Sequence, residues 1–236
     1  LASTAVTPLY GKLADIHGRR VVLLSGIVVF MVGSLACALA PNLWALILAR
    51  FVQGLGGGGL IALAQTIVAD MVPPKERGRY QVYFASVFLS SSLIGPVLGG
   101  VLAEKLHWSV IFWINLPLGI GAYWMSSAAL KRLPRHERPH KLDVLGALLM
   151  TAGTLSLLLA LSWGGTAYPW RSLPIAGLVG ATLVLWSLFA WRQRVAAEPL
   201  IPLDVMNNQV VRFGTVAAGL AMGAFIGLTI YLPLYF

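Results

Sequence analysis

Long apolar stretches alternate with short charged segments along the whole chain. Each long stretch is near the roughly 20 residues that a helix needs to cross a bilayer. The stretches are too long for strands and lack the alternation of an outer-membrane barrel, so they predict helices, which satisfy their own backbone amides in lipid. The pattern predicts an all-α, polytopic transmembrane helical bundle of eight spans, at about residues 1–11, 21–40, 43–71, 80–103, 108–130, 144–164, 173–191 and 213–236.

The ends of the chain fall inside apolar stretches. Leu1 is not a start methionine, and the sequence stops at Phe236 within the last predicted span. We therefore expect the chain to be a fragment, with its first span cut short, that does not transport alone.

The basic residues predict the orientation of the spans. Fourteen of the seventeen Lys and Arg residues lie in odd-numbered loops, and the even-numbered loops hold only Lys105 and Arg171. By the positive-inside rule the odd-numbered loops face the cytoplasm, which predicts a multi-pass protein of the cell membrane, plasma or bacterial inner. The net charge of +9 could suggest nucleic acid as a partner, but these residues lie in short loops, so we expect none.

Composition and the reactive side chains exclude several other classes. With 58% hydrophobic and 11% charged residues, the chain has too few polar groups to cover a water-soluble protein, so its surface must meet lipid. The single cysteine, Cys37, excludes an intramolecular disulfide or a cysteine zinc cluster. The four histidines lie in loops or at span ends without metal-ligand spacing. We therefore expect no metal, no cofactor and no enzymatic activity.

Arg50 is the most informative residue because it lies within a predicted span. An arginine in the membrane costs about 2.5 to 3.5 kcal/mol on insertion scales and usually faces a cavity or a partner. Two interpretations are open: Arg50 lines a water-filled pathway, or it snorkels to the outer interface or pairs with carbonyls of a neighbouring helix. At 100° per residue it shares a helix face with Gln53, Gly54, Gly57, Ile61, Ala64, Gln65 and Val68.

The first loop combines charges with a defined glycine spacing. Residues 11–20 read G-K-L-A-D-I-H-G-R-R. Gly11 would let a neighbouring helix approach, Gly18 permits a tight turn, and Asp15 can accept hydrogen bonds from Arg19. A solvated charged turn would explain the charges but not the glycines.

This loop resembles the signature G-x-L-A-D-x-x-G-R-R/K of the major facilitator superfamily. In that family the acid pairs with the arginine and with an acid at the end of the fourth helix, a position matched here by Asp70. The resemblance implies a gating motif made of Gly11, Asp15, Gly18, Arg19, Arg20 and Asp70.

Two further segments resemble motifs of the same family. Residues 46–58, L-I-L-A-R-F-V-Q-G-L-G-G-G, are similar to its fourth-helix pattern, which implies that Arg50 is the arginine associated with proton coupling. Residues 91–100, S-S-L-I-G-P-V-L-G-G, resemble the antiporter motif G-x-x-x-G-P-x-x-G-G with Ser91 in place of the first glycine. Any proline-kinked membrane helix would show part of this motif, which is formed here by Gly95, Pro96, Gly99 and Gly100.

The segments that follow narrow the resemblance to the fourteen-span drug:proton antiporters. Residues 108–119, W-S-V-I-F-W-I-N-L-P-L-G, are similar to the run that opens the sixth helix of those proteins, and a short basic loop and two more spans follow. The resemblance implies spans two to nine, in three parts. These are an N-terminal helix bundle at 1–130, a cytoplasmic loop with two extra central spans at 131–192, and a cytoplasmic loop with the first span of the C-terminal bundle at 193–236.

The resemblance also implies a function: export of drug-like or toxic small molecules by proton antiport with alternating access. Its partners are then the lipid bilayer, a small-molecule substrate and protons. Drug-like cations would meet polar and aromatic side chains, although packing explains these equally well; the candidates are Gln53, Gln65, Tyr83, Phe84 and Phe88.

Two observations limit this interpretation. None of the eight acidic residues lies near the centre of a predicted span, so the coupling ion rests on the resemblance alone. The same fold would also serve a transporter of a natural metabolite, such as a siderophore or an amino acid derivative.

Overall fold

The computed structural model describes residues 1–132, 143–196, 198–201 and 208–235. The predictions for the basic loop at 133–142 and for 202–207 lie outside the described residues. Within the described ranges the only β pairing is an isolated bridge between Gly164 and Tyr168, and the prediction of an all-α fold is confirmed. The helices are α1 (Ala2–His17), α2 (Arg19–Ala38), α3 (Leu43–Gly57), α4 (Leu60–Met71), α5 (Arg77–Lys105), α6 (Val110–Trp113), α7 (Asn115–Ala129), α8 (Val144–Trp163), α9 (Leu173–Val195) and α10 (Gln209–Tyr235).

Six segments of the described chain are long and apolar enough to cross a membrane. They are α2, α3 with α4, α8, α9 and the larger parts of α5 and α10. The other two predicted spans are shorter: α1 has 16 residues, and the stretch at 108–130 is divided into α6 and α7. Pro117 explains the division, because it has no N–H for the carbonyl of Trp113 and its ring crowds that carbonyl. The interruption is slight, since Ile114 keeps helical φ and ψ angles of −62° and −25°.

The run of four glycines at residues 56–59 interrupts the predicted span at 43–71 without displacing it. Helix α3 ends at Gly57 and α4 begins at Leu60. Backbone hydrogen bonds continue on both sides of the interruption, from Gly58 N to Gly54 O at 3.0 Å and from Leu63 N to Gly59 O at 2.9 Å. Glycine is a poor helix former, which accounts for an interruption at this place.

Helix α2 is the centre of the bundle and packs against α1, α3, α4, α6 and α7. Its closest approach is to α3, at two glycines. A Cβ at Gly33 would collide with the backbone of Gln53, and one at Gly56 would collide with the backbone of Phe30. Small residues of this kind let membrane helices come together closely. The buried core lies at one end of this packing and comprises Tyr10, Ala14, Val22, Leu23, Ile27, Leu63, Ile67 and Leu130.

Helices α8 and α9 form a hairpin that is closed by a buried ion pair. Asp143 caps α8 by accepting from Gly146 N at 3.1 Å, and its carboxylate also accepts from Arg192 Nε at 3.1 Å. The Asp143 side chain is only 4% exposed. The hairpin packs through α8 against α1, where Thr151 Oγ1 lies 3.5 Å from the carbonyl of Ala5.

The Asp143→Asn variant should destabilise this hairpin. Asparagine can still cap the helix, but it loses the charge that pairs with Arg192. We expect the free energy of unfolding to fall by about 1.5–3 kcal/mol, the range for a hydrogen bond to a charged group. Thermal unfolding of the purified full-length protein measures this change. Glu104→Gln, at an exposed position near the end of α5, is the control. Equal effects of the two substitutions would contradict the expectation.

Helices α5 and α10 differ from the rest in their burial. No residue in the most apolar window of either helix is buried against the described chain. Helix α5 packs mainly against its sequence neighbours α4 and α6. The apolar surfaces of both helices are consistent with contact to lipid or to further helices.

Candidate functional site

Arg50 is exposed, and it is hydrogen-bonded to a buried polar side chain of its own helix. Its Nη1 donates to Gln53 Oε1 at 2.7 Å, and Gln53 is buried, with 5% exposure. Gln53 Nε2 in turn donates to Ser34 Oγ of α2 at 2.6 Å. Gln53 lies one turn further into the span, away from the start of α3 at Leu43. This direction favours the pathway interpretation of Arg50 over snorkelling to the outer interface.

A cavity of about 660 Å³ lies beside this pair. It is bounded by α3, by Phe30 of α2 and by the first residues of α1. Four residues of the face predicted from helical periodicity line it: Arg50, Gln53, Gly54 and Gly57. The residues of the same predicted face that follow the glycine interruption do not line this cavity: Ile61, Ala64, Gln65 and Val68.

The structure brings only one of the predicted substrate-cavity residues to the cavity. Gln53 lines it, whereas Gln65, Tyr83, Phe84 and Phe88 do not. Tyr83 and Phe88 are 59% and 51% exposed on α5. A role for these four side chains in substrate binding stays a prediction.

The charged residues of the first loop join the ends of three helices. Arg19 Nη2 lies 3.1 Å from Asp15 Oδ1, and Arg19 Nε donates to Asp70 Oδ2 at 2.9 Å. The contacts connect the last turn of α1, the start of α2 and the last turn of α4. Gly18, between α1 and α2, has a φ of +88°, a conformation that suits glycine.

The remaining positions of the gating motif make fewer contacts. Arg20 Nη2 donates to Ser127 Oγ on α7 at 3.2 Å. A Cβ at Gly11 would meet nothing within 4 Å, so the close neighbour expected there is not seen within the described residues. The gating role of the motif stays a prediction.

The antiporter motif lies on an open face of α5. The helix continues through Pro96 without a break. Added side chains at Gly95, Gly99 and Gly100 would meet nothing within 4 Å in the described structure. This face of small residues is therefore uncovered within the described structure, and the antiporter role of the motif stays a prediction.

Sequence reasoning missed three interactions: the one made by Ser34, the pair of Asp143 with Arg192, and the one made by Arg77. Ser34 carried no signal, because a serine in a membrane helix is common and only the position of α3 makes it a partner of Gln53. The carboxylate of Asp143 and the guanidinium of Arg192 are separated by a whole hairpin in sequence. Arg77 could have been found, since a basic residue just after a helix often binds its last carbonyls; its Nη2 donates to Ala69 O at 2.7 Å, next to Asp70.

The comparison with known families agrees with this architecture. The model of the Major Facilitator Superfamily matches residues 1–236, the whole chain. This chain belongs to the major facilitator superfamily. The resemblance predicted from the motifs is confirmed, as is the polytopic transmembrane helical bundle. The superfamily consists of membrane transporters, which points to a transporter in a lipid bilayer rather than an enzyme.

Two similar proteins of the superfamily carry names that refer to multidrug resistance or multidrug transport. Multidrug resistance protein 3 of Bacillus subtilis (strain 168) is 35% identical over all of this chain, which covers 46% of it. Multidrug transporter protein MdtP of the same strain is 36% identical, again over the whole chain, which covers 43% of it. The chain thus spans less than half the length of these relatives.

A solved structure of a proton dependent oligopeptide (POT) family transporter has the same fold. It aligns with 90% of this chain and 48% of its own length, with a TM-score of 0.53 and 19% identity. At that identity the likeness shows the fold alone. It supports the arrangement of helices in which the Arg50 site lies.

Proposed function

We propose that the full-length protein exports drug-like or toxic small molecules by proton antiport with alternating access. Two relatives at 35% and 36% identity are named for multidrug resistance and multidrug transport, which supports the substrate class. The observation that carries the proposal is Arg50, a permanent charge within a membrane span beside a cavity of about 660 Å³.

Arg50 has the chemistry that proton coupling requires. Arginine keeps its charge at every physiological pH, so it favours the ionised form of a carboxylate that comes close and loses this effect when the two separate. In a low-dielectric span the effect is stronger than in water. A conformational change that moves a carboxylate towards or away from Arg50 would therefore drive proton release or uptake.

We further propose that the contacts of Arg19 hold one conformation of the cycle. Alternating access requires the two bundles to rock around a central site, so the ends of helices must part or close. By the positive-inside rule we propose that the loop between α1 and α2 lies on the cytoplasmic side of the cell membrane, which is the plasma membrane or a bacterial inner membrane. The pairs with Asp15 and Asp70 would close the cytoplasmic ends of α1, α2 and α4 in one state.

The division into parts is also proposed. Helices α1–α4, α6 and α7 meet around α2, which supports an N-terminal bundle at 1–130. The hairpin of α8 and α9 occupies most of the predicted part 131–192 and ends at Val195. It packs on α1 through α8, so we propose that it moves with this bundle. Residues 193–236, with α10, would begin the C-terminal bundle.

Dye accumulation in cells tests the export proposal. Cells that express the full-length protein should accumulate less of a cationic dye than vector cells, and a protonophore should remove the difference. No difference from vector cells, with expression confirmed, would favour a transporter of a natural metabolite such as a siderophore or an amino acid derivative. A difference that the protonophore leaves unchanged would reject proton antiport.

The Asp70→Asn variant tests the gating proposal. It removes the charge that pairs with Arg19 while keeping the size of the side chain. Because the Asp70 side chain is 49% exposed, the free energy of unfolding should change by less than about 1 kcal/mol. Export should fall severalfold if the pair holds one state of the transport cycle. Glu76→Gln changes an exposed acid in the loop that follows α4 and should leave export unchanged. Parental export by Asp70→Asn would contradict the gating role.

A further inference from the structure

One hydroxyl group connects three helices beside Arg50. Ser34 of α2 is fully buried, and its Oγ donates to the carbonyl of Phe30 at 2.9 Å. The same oxygen accepts from Gln53 Nε2 of α3 at 2.6 Å, and Asn115 Nδ2, at the start of α7, lies 3.5 Å away. A serine hydroxyl has one donor and two acceptor sites. All three are directed to a partner in this arrangement.

The bond to Phe30 determines which end of the Gln53 amide faces Ser34. The hydroxyl hydrogen is used on the Phe30 carbonyl, so Ser34 can only accept from Gln53. The amide must then turn its NH2 group to Ser34 and its carbonyl to the opposite side, where Arg50 Nη1 donates to it at 2.7 Å. The reverse orientation would set the NH2 donors against the guanidinium donors with no acceptor between them.

We propose that Ser34 is a positioning residue that holds the Arg50 charge in place through the Gln53 amide. This inference rests on the function proposed for Arg50 and names the group that sets its position. Within the described residues Arg50 has no ion pair, and the Gln53 carbonyl is its hydrogen-bond acceptor. The ring of Phe112, with its centroid 5.6 Å from Arg50 Cζ, is the other contact of the guanidinium.

Loss of the Ser34 hydroxyl would change the position of Arg50 through Gln53, which contacts both residues. In Ser34→Ala the buried NH2 group of Gln53 loses its acceptor, and buried polar groups seldom stay unpaired. Gln53 would turn to find another partner, and its carbonyl would leave Arg50. The charge would then occupy several positions beside the cavity instead of one.

Export by Ser34 variants tests the role of the hydroxyl. We expect Ser34→Ala to lower protonophore-sensitive dye export by about tenfold, in the range of a lost hydrogen bond. Ser34→Thr keeps the hydroxyl and should restore most of the export. If Ser34 mattered only for packing, the larger threonine would be worse than alanine at this fully buried position, and that result would overturn the proposal.

Thr182→Val is the matched control. Thr182 is buried in α9, and its hydroxyl donates to the carbonyl of Leu178 in the same helix at 2.8 Å. Like Ser34→Ala, the substitution removes a buried hydroxyl, but away from Arg50. It should leave export unchanged, and a loss as large as that of Ser34→Ala would overturn the specific role of Ser34.

A thermal unfolding cycle tests the connection without a substrate. The purified full-length protein, Ser34→Ala, Arg50→Ala and the double variant are compared in detergent. Among the described residues Ser34 and Arg50 share Gln53 as a hydrogen-bond partner, so the fall in melting temperature caused by Ser34→Ala should be smaller in the Arg50→Ala background. Equal falls in both backgrounds would overturn the proposal. Unequal falls in a protein that exports no dye would support the positioning role while rejecting drug export.

Discussion

The Arg50→Ala variant of the full-length protein should lose the protonophore-sensitive part of dye export almost completely. A hydrogen bond to a charged group contributes about 1.5–3 kcal/mol, and about 2.8 kcal/mol corresponds to a hundredfold change. A carboxylate that moves past Arg50 would no longer be stabilised in its ionised form. We therefore expect export to fall by up to about a hundredfold, measured as the initial rate of dye efflux.

Two other variants make this result specific. Arg50→Lys keeps the charge but loses the planar group that reaches the Gln53 carbonyl, so its export should lie between those of the parent and of Arg50→Ala. Arg171→Ala removes an exposed arginine at the turn between α8 and α9 and should export like the parent. Parental export by Arg50→Ala, at normal expression, would reject a role of Arg50 in coupling.

The Gly56→Ala variant should be the most damaging single change to the packing of the bundle. An added Cβ would collide with the backbone N of Phe30, and a backbone atom of a packed helix cannot turn aside as a flexible side chain can. Helices α2 and α3 would have to separate, at a cost of about 1–3 kcal/mol or more. We expect a lower melting temperature and a lower yield of monodisperse full-length protein in detergent.

The same substitution in an open place provides the control. A Cβ at Gly180 of α9 would meet nothing within 4 Å. Alanine is the better helix former, so Gly180→Ala should be neutral or stabilise the protein by up to about 1 kcal/mol. Gly33→Ala, on the other side of the same contact, should resemble Gly56→Ala. Equal stability of Gly56→Ala and Gly180→Ala would show that α2 and α3 are not packed closely at Gly56.

The sequence was sufficient for the helices because lipid leaves the backbone few choices. A long apolar stretch must satisfy its own amides, so its length alone predicts a helix. The stretches at 144–164 and 173–191 correspond to Val144–Trp163 and Leu173–Val195. The stretch at 108–130 is divided close to Pro117, and a kink at this proline can be expected from the sequence because proline has no N–H to donate.

The candidate site could be predicted only in part. A period of 100° per residue placed Arg50 and Gln53 on one face, and the structure joins them by a hydrogen bond. The same period placed Gln65 with them, but the glycine interruption at residues 58 and 59 lies between the two parts of that face. Gln65 does not line the cavity beside Arg50, and its place on the same face stays a prediction.

By itself the sequence determined the family, the helical class and the charged positions, because these depend on local composition and spacing. The partners of the charges were decided by tertiary structure. Ser34 acts on Gln53 because glycines allow α2 and α3 to approach, and Asp143 meets Arg192 because α8 and α9 fold back on each other. A hydrogen bond depends on distances of a few tenths of an ångström between helices, and those distances are set by the packing of the whole bundle.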